Sequence, residues 1–422
     1  MLKSGDVIPL TIEKPAAGGA MIARHEGRVV LVSGAIPGER VRARLVRVAK
    51  GVAHAETVAI DEPSLDRRVA SGDPLCGGCL YSHIAYPRQL AIKSQVIADA
   101  FARIGRLELP APVTVAGSPE NGYRMRARLH VRGSRVGFFR EGTHDLCDAR
   151  ATRQLLPATC DVLERLMAAI RSIGADAVRE IELSENVDAS QRVVHLDTVE
   201  PLDPRLVDKL VSVDGLTPGP YVTDTITIGD SSLTFRRHVL AFFQGNRYLL
   251  RDLVAHVTDR VPIGGSLADL YAGVGLFSVA AAVTRGASVM AVEGGPHAAD
   301  DLHANGVAAG ANLYTVKGAV EGFTAGAFRM LGRMVKGPIA ETVIVDPPRT
   351  GMSREALDAV LGTQATRLVY VSCDVATLAR DARRIVDAGY TIERADAFDM
   401  FPNTPHVESV VVFNRNQGFR LQ

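Results

Sequence analysis

From about Asp230 the chain alternates short apolar runs with helical patterns, as in SLADLYAGVGLFSVAAAV, ASVMAVEGG, ETVIVDPPRTG and RLVYVSCDVATLARDARRIVDAGY. A strand needs apolar residues on both faces when helices cover both sides of its sheet. The series therefore predicts a doubly wound, parallel α/β sheet. Open sheets of this kind hold ligands at the carboxyl ends of their strands, and the chemistry-bearing residues of this region fall at such ends.

At the end of the first strand, DLYAGVGLF puts Gly273 and Gly275 in a turn where a ligand can approach the backbone. Ser278 stands where a dinucleotide fingerprint has its third glycine, which argues against a nicotinamide cofactor. The next strand ends in Glu293, placed to accept hydrogen bonds from ribose hydroxyls; an acid acting on the following helix dipole is the other role open to it. A two-glycine turn followed by that acid suits the adenosyl half of S-adenosylmethionine. Further on, LVYVSC ends in Cys373 just before a helical pattern. The amides at that helix start are expected to stabilise the thiolate, whereas a plain buried thiol is the other reading of a lone cysteine.

With 422 residues, 47% hydrophobic and 23% charged, the chain has room for two or three separate cores. A formal net charge of +1 conceals a one-signed stretch, NGYRMRARLHVRGSRVGFFR, which holds arginines and no acid. A strand over Tyr123–Val131 would put Arg124, Arg126 and Arg128 on one face and Met125, Ala127 and Leu129 on the other, with a hairpin turn at Gly133 and Ser134. That row of guanidinium groups is an RNA-binding surface in prospect. Upstream, YPRQLAIKSQVIADAFARIG predicts an amphipathic helix over 86–106 that packs on the catalytic domain. Residues 4–60 carry short β-rich runs between Gly and Pro turns, the pattern of a small barrel, and SGAIPGERVRARL within them resembles the TRAM domain, an RNA-binding barrel attached to RNA-modifying enzymes. Three units are expected: a TRAM-like (oligonucleotide-binding type) barrel over 1–62, a central α+β RNA-binding region over 63–235 and a Rossmann-like domain over 236–422. MLKSGDVIPLTIEK lacks the apolar core of a signal peptide, and no run is long enough to span a membrane, so a cytoplasmic chain without membrane association is expected. Nothing marks an obligate protein partner. Five cysteines make no disulfide framework in a chain of this length.

FFQGN, VDPPRTG, YVSCDVATLARD and DMFPNTPHVESVVVF, in this order and spacing, resemble the RNA uracil-C5 methyltransferases, which act on tRNA or 23S rRNA uridines. The resemblance implies S-adenosylmethionine as cofactor, Cys373 as nucleophile at uracil C6 and Glu408 as the base that removes the C5 proton. It also implies that Gln244, Tyr271 and Asp346 join Glu293 around the cofactor. Burial among Val407, Val410 and Val411 would raise the Glu408 carboxyl and suit it to proton abstraction. The family commonly has Asn-Pro after the nucleophile, where this chain has Asp374 and Val375. By the same resemblance, the barrel implies 23S rRNA rather than tRNA as the partner. A tRNA uridine-C5 methyltransferase and a non-catalytic RNA-binding or chaperone protein that kept the fold are the alternatives.

DPLCGGCLYSH, with Cys76 and Cys79, is similar to an iron-sulfur motif of many relatives. Two of the four ligand positions that the resemblance implies are Ala70 and Thr152 here, while Cys147 and Cys160 lie nearby in sequence. A rearranged iron-sulfur cluster and a remnant pair of thiols without metal are both open readings.

Overall fold

The computed structural model describes residues 2–174, 177–322 and 340–415; residues 323–339 and 416–422 of the expected catalytic unit lie outside the described residues. Five strands, β1 (Val7–Pro15), β2 (Met21–His25), β3 (Arg28–Ser33), β4 (Arg40–Val48) and β5 (Val52–Glu62), close into a barrel in the order β1-β2-β3-β5-β4. Strict alternation explains it: in β4, Val41, Ala43 and Leu45 face the barrel core while Arg40, Arg42 and Arg44 face out. Those outer arginines pair with Glu62, Asp61 and Glu56 of β5.

Helix α1 (Tyr86–Ala100) continues as one π-helical turn over Phe101–Gly105 and packs against the last described helix, Val375–Asp387. Strand β6 (Thr114–Ala116) follows. A five-stranded sheet comes next, built from β7 (Arg126–Arg132), β8 (Arg135–Phe139), β9 (Leu146–Asp148), β10 (Val178–Glu185) and β11 (Arg192–Thr198) in the order β11-β10-β7-β8-β9. Helix α2 (Pro157–Ser172) lays Leu163, Leu166, Met167 and Ile170 on its inner face. After α3 (Pro204–Val211), the strands β12 (Tyr221–Ile228) and β13 (Ser231–His238) form a two-stranded ribbon.

The arginine strand departs from expectation in two ways. It begins at Arg126, because Arg124 instead makes an isolated bridge to Asn246. Strand β10 also supplies acids that no local reading of the arginine segment could show: Arg128 pairs with Glu182 and Glu180, so its charge is compensated.

The C-terminal half contains α4 (Leu250–Thr258), β14 (Ser266–Leu270), α5 (Leu276–Arg285), β15 (Ser288–Glu293), α6 (Pro296–Ala308), β16 (Leu313–Lys317), β17 (Thr342–Val345), α7 (Arg354–Gly362), β18 (Arg367–Ser372), α8 (Val375–Asp387), β19 (Tyr390–Phe398) and β20 (Glu408–Arg415). Its sheet runs β16-β15-β14-β17-β18-β20-β19-β6. Apolar clusters cover both faces, and Leu368, Val369, Tyr370 and Val371 of β18 are each at most 1% exposed. Burying such a side chain contributes roughly 1.5–3 kcal/mol, so the strand that delivers Cys373 cannot slip in register without losing several of these.

The sheet is not wholly parallel: β20 lies antiparallel between β18 and β19. No helix intervenes between β19 and β20, so the chain reverses through residues 399–407 instead of crossing over. That reversal decides the site, because it brings the first residue of β20 to the carboxyl end of β18. No described helix is long and apolar enough to cross a membrane.

Candidate active site

A cavity of about 550 Å³ opens where the strand ends meet the central region. Strand β14 delivers Tyr271 and Gly273, β15 Glu293, β17 Asp346, β18 Cys373 and β20 Glu408. The loop after β13 adds Gln244, and the central region contributes Arg124 and Arg126. All the sequence-predicted catalytic and cofactor residues therefore line one cavity, as do two of the three arginines. Arg128, Cys76 and Cys79 do not line it.

The glycine turn divides its labour. A Cβ on Gly275 would sit 2.8 Å from Leu302 Cδ1 of α6, so this glycine permits helix–turn packing. A Cβ on Gly273 would meet nothing nearer than 3.8 Å, so this glycine leaves free space beside the cavity. Both have positive φ, +57° and +92° for Gly273 and Gly275, where an L side chain is strained. Glu293 accepts from Gly273 N at 2.8 Å and Gly295 N at 2.6 Å, which fixes its carboxylate in the cavity wall. Ser278 uses its hydroxyl to donate to the fully buried Asp269.

Glu408 is 2% exposed, and its Oε1 has no hydrogen-bond partner. Burial, with the charge of Asp346 added, raises its carboxyl well above the usual range against the partial offset of Arg349. Asp346, which accepts from Gln244 Nε2 at 3.1 Å, is itself pushed up to about 7 by burial and by Asp269. The Cys373 thiol is pushed up to about 12 by burial and the carboxylates of Glu408 and Asp346, with the charge and hydrogen bond of Arg349 opposing. This reverses the expected lowering of the thiol. Asp374 N-caps α8 by accepting from Ala376 N at 3.1 Å and Thr377 N at 2.8 Å, so those amides are already taken.

Sequence reasoning missed Arg349, Tyr123, Phe242 and Phe401 as cavity residues. Arg349 could have been found as the only cation in VDPPRTG, three residues after the acid assigned to the site. Phe242 is 60% exposed with the Arg126 guanidinium 5.8 Å from its ring centre, a placement that only the tertiary structure reveals.

The thiols do not fit an iron-sulfur cluster. Cys76, Cys79 and Cys147 pack together as a small buried group, but Cys160 belongs to the separate core under α2. The Thr152 carbonyl, not a fourth thiol, lies 4.0 Å from Cys79 Sγ. Among the described residues no group of three or more Cys, His, Asp or Glu is arranged to hold a metal.

Residues 214–416 match the tRNA (Uracil-5-)-methyltransferase family and residues 2–58 the TRAM domain. In fold the chain is a methyltransferase joined to a barrel: its structure superposes on that of a Pyrococcus abyssi tRNA (uracil-54, C5)-methyltransferase with a TM-score of 0.73, covering 96% of this chain and 99% of that one at 24% identity. It is 32% identical to a 23S rRNA (uracil(1939)-C(5))-methyltransferase of Halomonas elongata, over 98% of this chain and 90% of that protein. An uncharacterized RNA methyltransferase of Corynebacterium efficiens is 30% identical over 99% of this chain and 97% of its own length. The chain belongs to the RNA uracil-C5 methyltransferase family.

Proposed function

We propose that this enzyme methylates C5 of a uridine in 23S rRNA through a covalent Cys373 adduct that Glu408 resolves. S-adenosylmethionine, when bound, supplies the electrophilic methyl group. The open space at Gly273 and the fixed carboxylate of Glu293 suit its adenosyl half, and the acids deeper in the cavity suit its positive charge. Uracil C5 is too weak a nucleophile for a sulfonium. Addition of the Cys373 thiolate at C6 forms an S–C6 bond and an enolate, which makes C5 electron-rich. Arg349 favours that thiolate by charge and hydrogen bond. After methyl transfer, Glu408 takes the C5 proton, the C5–C6 double bond re-forms and the S–C6 bond breaks. The observation that carries this reading is the placement of Glu408 beside Cys373 in one cavity, through the antiparallel entry of β20 next to β18.

The choice of 23S rRNA rests on the relatives named for it at 30% identity or more. The barrel does not by itself select rRNA, since the superposition on the Pyrococcus abyssi tRNA enzyme is too extensive to leave the barrel out.

RNA carrying 5-fluorouridine tests the mechanism, because fluorine at C5 cannot leave as a proton and elimination stalls. Wild-type enzyme with S-adenosylmethionine is expected to give a protein–RNA adduct that survives denaturation, and Cys373→Ala none. Glu408→Gln should accumulate the adduct on ordinary uridine RNA, with turnover reduced about 10²- to 10⁴-fold. Methyl transfer by wild type that yields no adduct in any arm would sink the covalent route. Running 23S rRNA and tRNA side by side decides the substrate.

A further inference from the structure

The Cys-Gly-Gly-Cys loop holds no ligand set, yet it is built tightly against the cavity wall. Cys79 N donates to Cys76 O at 2.8 Å, closing a turn with Gly77 and Gly78 at its centre. Gly78 lies under the side chain of Gln154, so close that a Cβ on it would fall 2.1 Å from Gln154 Nε2. Gln154 is 2% exposed. Its Oε1 accepts from Tyr123 OH at 3.1 Å and from Arg124 Nη1 at 2.9 Å, and its backbone carbonyl accepts from Arg124 N at 2.9 Å. Two donors fix which end of the amide points to the cavity wall, and Nε2 is left buried without an acceptor over Gly78.

Arg124 is held from several sides. Nε donates to Arg126 O at 2.8 Å, the guanidinium lies 5.3 Å from the centre of the Phe138 ring, and Nη1 is held by Gln154. The neighbouring Tyr123 hydroxyl is a further hydrogen-bond partner of the Arg124 side chain, and among the described residues no carboxylate forms an ion pair with Arg124. An uncompensated, pre-oriented guanidinium at the cavity wall suits a phosphodiester oxygen next to the base being modified.

We propose that Gln154 is a positioning residue that aims Arg124 at the RNA backbone, and that the Cys-Gly-Gly-Cys turn serves as the floor that holds Gln154. The proposal rests on the RNA-methylating reading of this cavity. It explains why glycine stands at 78, the point of closest approach, and gives the loop a role that needs no metal.

The experiment measures methyl transfer to RNA and RNA binding across a salt series. Gln154→Met keeps length but removes the acceptor, and Gly78→Ala pushes the amide aside from below. Both variants are expected to raise the KM for RNA about 3- to 10-fold, with kcat within about twofold of wild type. Each should also reduce the slope of log affinity against log salt by up to about 0.7, the share of one phosphate contact on single-stranded RNA. Arg124→Ala should show the same slope change, and Gln154→Met/Arg124→Ala should bind no worse than Arg124→Ala alone. An unchanged salt slope overturns the proposal, whatever happens to KM, as does full additivity in the double variant, since a purely structural role would give either. Failure of wild type to methylate RNA would strike the proposed function instead, and that result is separate from any behaviour of the Gln154 variants.

Discussion

Three carboxyl groups and one thiol share the cavity region, and their mutual charge sets how the enzyme responds to pH. In the proposed mechanism Glu408 acts as the base, which it can do only when ionised, and its carboxyl is raised by burial and by Asp346. A base with a raised pKa is active above that value and is lost as pH falls through it. The acid limb of kcat should therefore lie well above the ordinary carboxylate range near 4.5. Asp346→Asn removes one of the charges that raise Glu408, so the limb should move to lower pH even if the maximal rate also drops. A limb that stays in place in single-turnover pH profiles of this variant would show that Asp346 does not act on the base. At this scale the sequence was informative about identity and poor about energetics. Cys373 and Glu408, which the structure brings into one cavity, could be picked out as candidates from the motifs that carry the resemblance. The state of the thiol could not, because its rise to about 12 comes from burial and from acids on other strands, some of them far away in sequence.

Among the elements, β20 and α8 shape the chemistry most. A βαβ pattern is legible as apolar runs of strand length, but direction is not, and β20 reads the same whether parallel or antiparallel. The short connection from Phe398 to Glu408 was the available clue, since a parallel return needs a crossover of a dozen or more residues. The acids on β10 that neutralise Arg128 were illegible for a similar reason, because cross-strand pairing joins segments some fifty residues apart. Helix α8 yields a direct test. Asp374→Ala removes two capping hydrogen bonds and should cost about 1 kcal/mol of stability, a fall of roughly 2 °C in Tm. It also frees two amides at the positive end of the helix, so the Cys373 thiol should come down from about 12 and alkylate faster at neutral pH. Asp374→Asn keeps the cap and should match wild type in Tm. Iodoacetamide rates with pH and thermal melts check both, and an alanine variant with an unchanged alkylation profile would detach the cap from the thiol.

On the scale of the whole molecule, the parts are joined at the loop between β19 and β20, the segment that carries the chain from the cavity wall to Glu408. The barrel reaches it through Gly19, where a Cβ would stand 2.9 Å from Pro405 Cγ. The segment before α1 reaches it through Tyr81 N, which donates to Asn403 O at 2.8 Å. Helix α1 reaches it through Gln89, bonded to Asn403, and through Lys93, which donates to Asp399 and to Phe401 O. Composition had no means of showing that three units close on one loop, since each contact pairs residues hundreds of positions apart. Lys93 and Asp399 are 1% and 0% exposed, and burial lowers the Lys93 ammonium against the support of its partner. Removing one member of such a pair leaves an uncompensated buried charge, which costs about 3–5 kcal/mol, whereas replacing both with apolar groups can be close to neutral. Lys93→Met should therefore lose several degrees of Tm and, with Phe401 O released, reduce methyl transfer. Lys93→Met/Asp399→Leu should recover most of the stability but not the activity, because no donor returns to the carbonyl that holds the Phe401 wall. Recovery of both in the double variant would mean that the ion pair only fills space, and that the loop finds its position without Lys93.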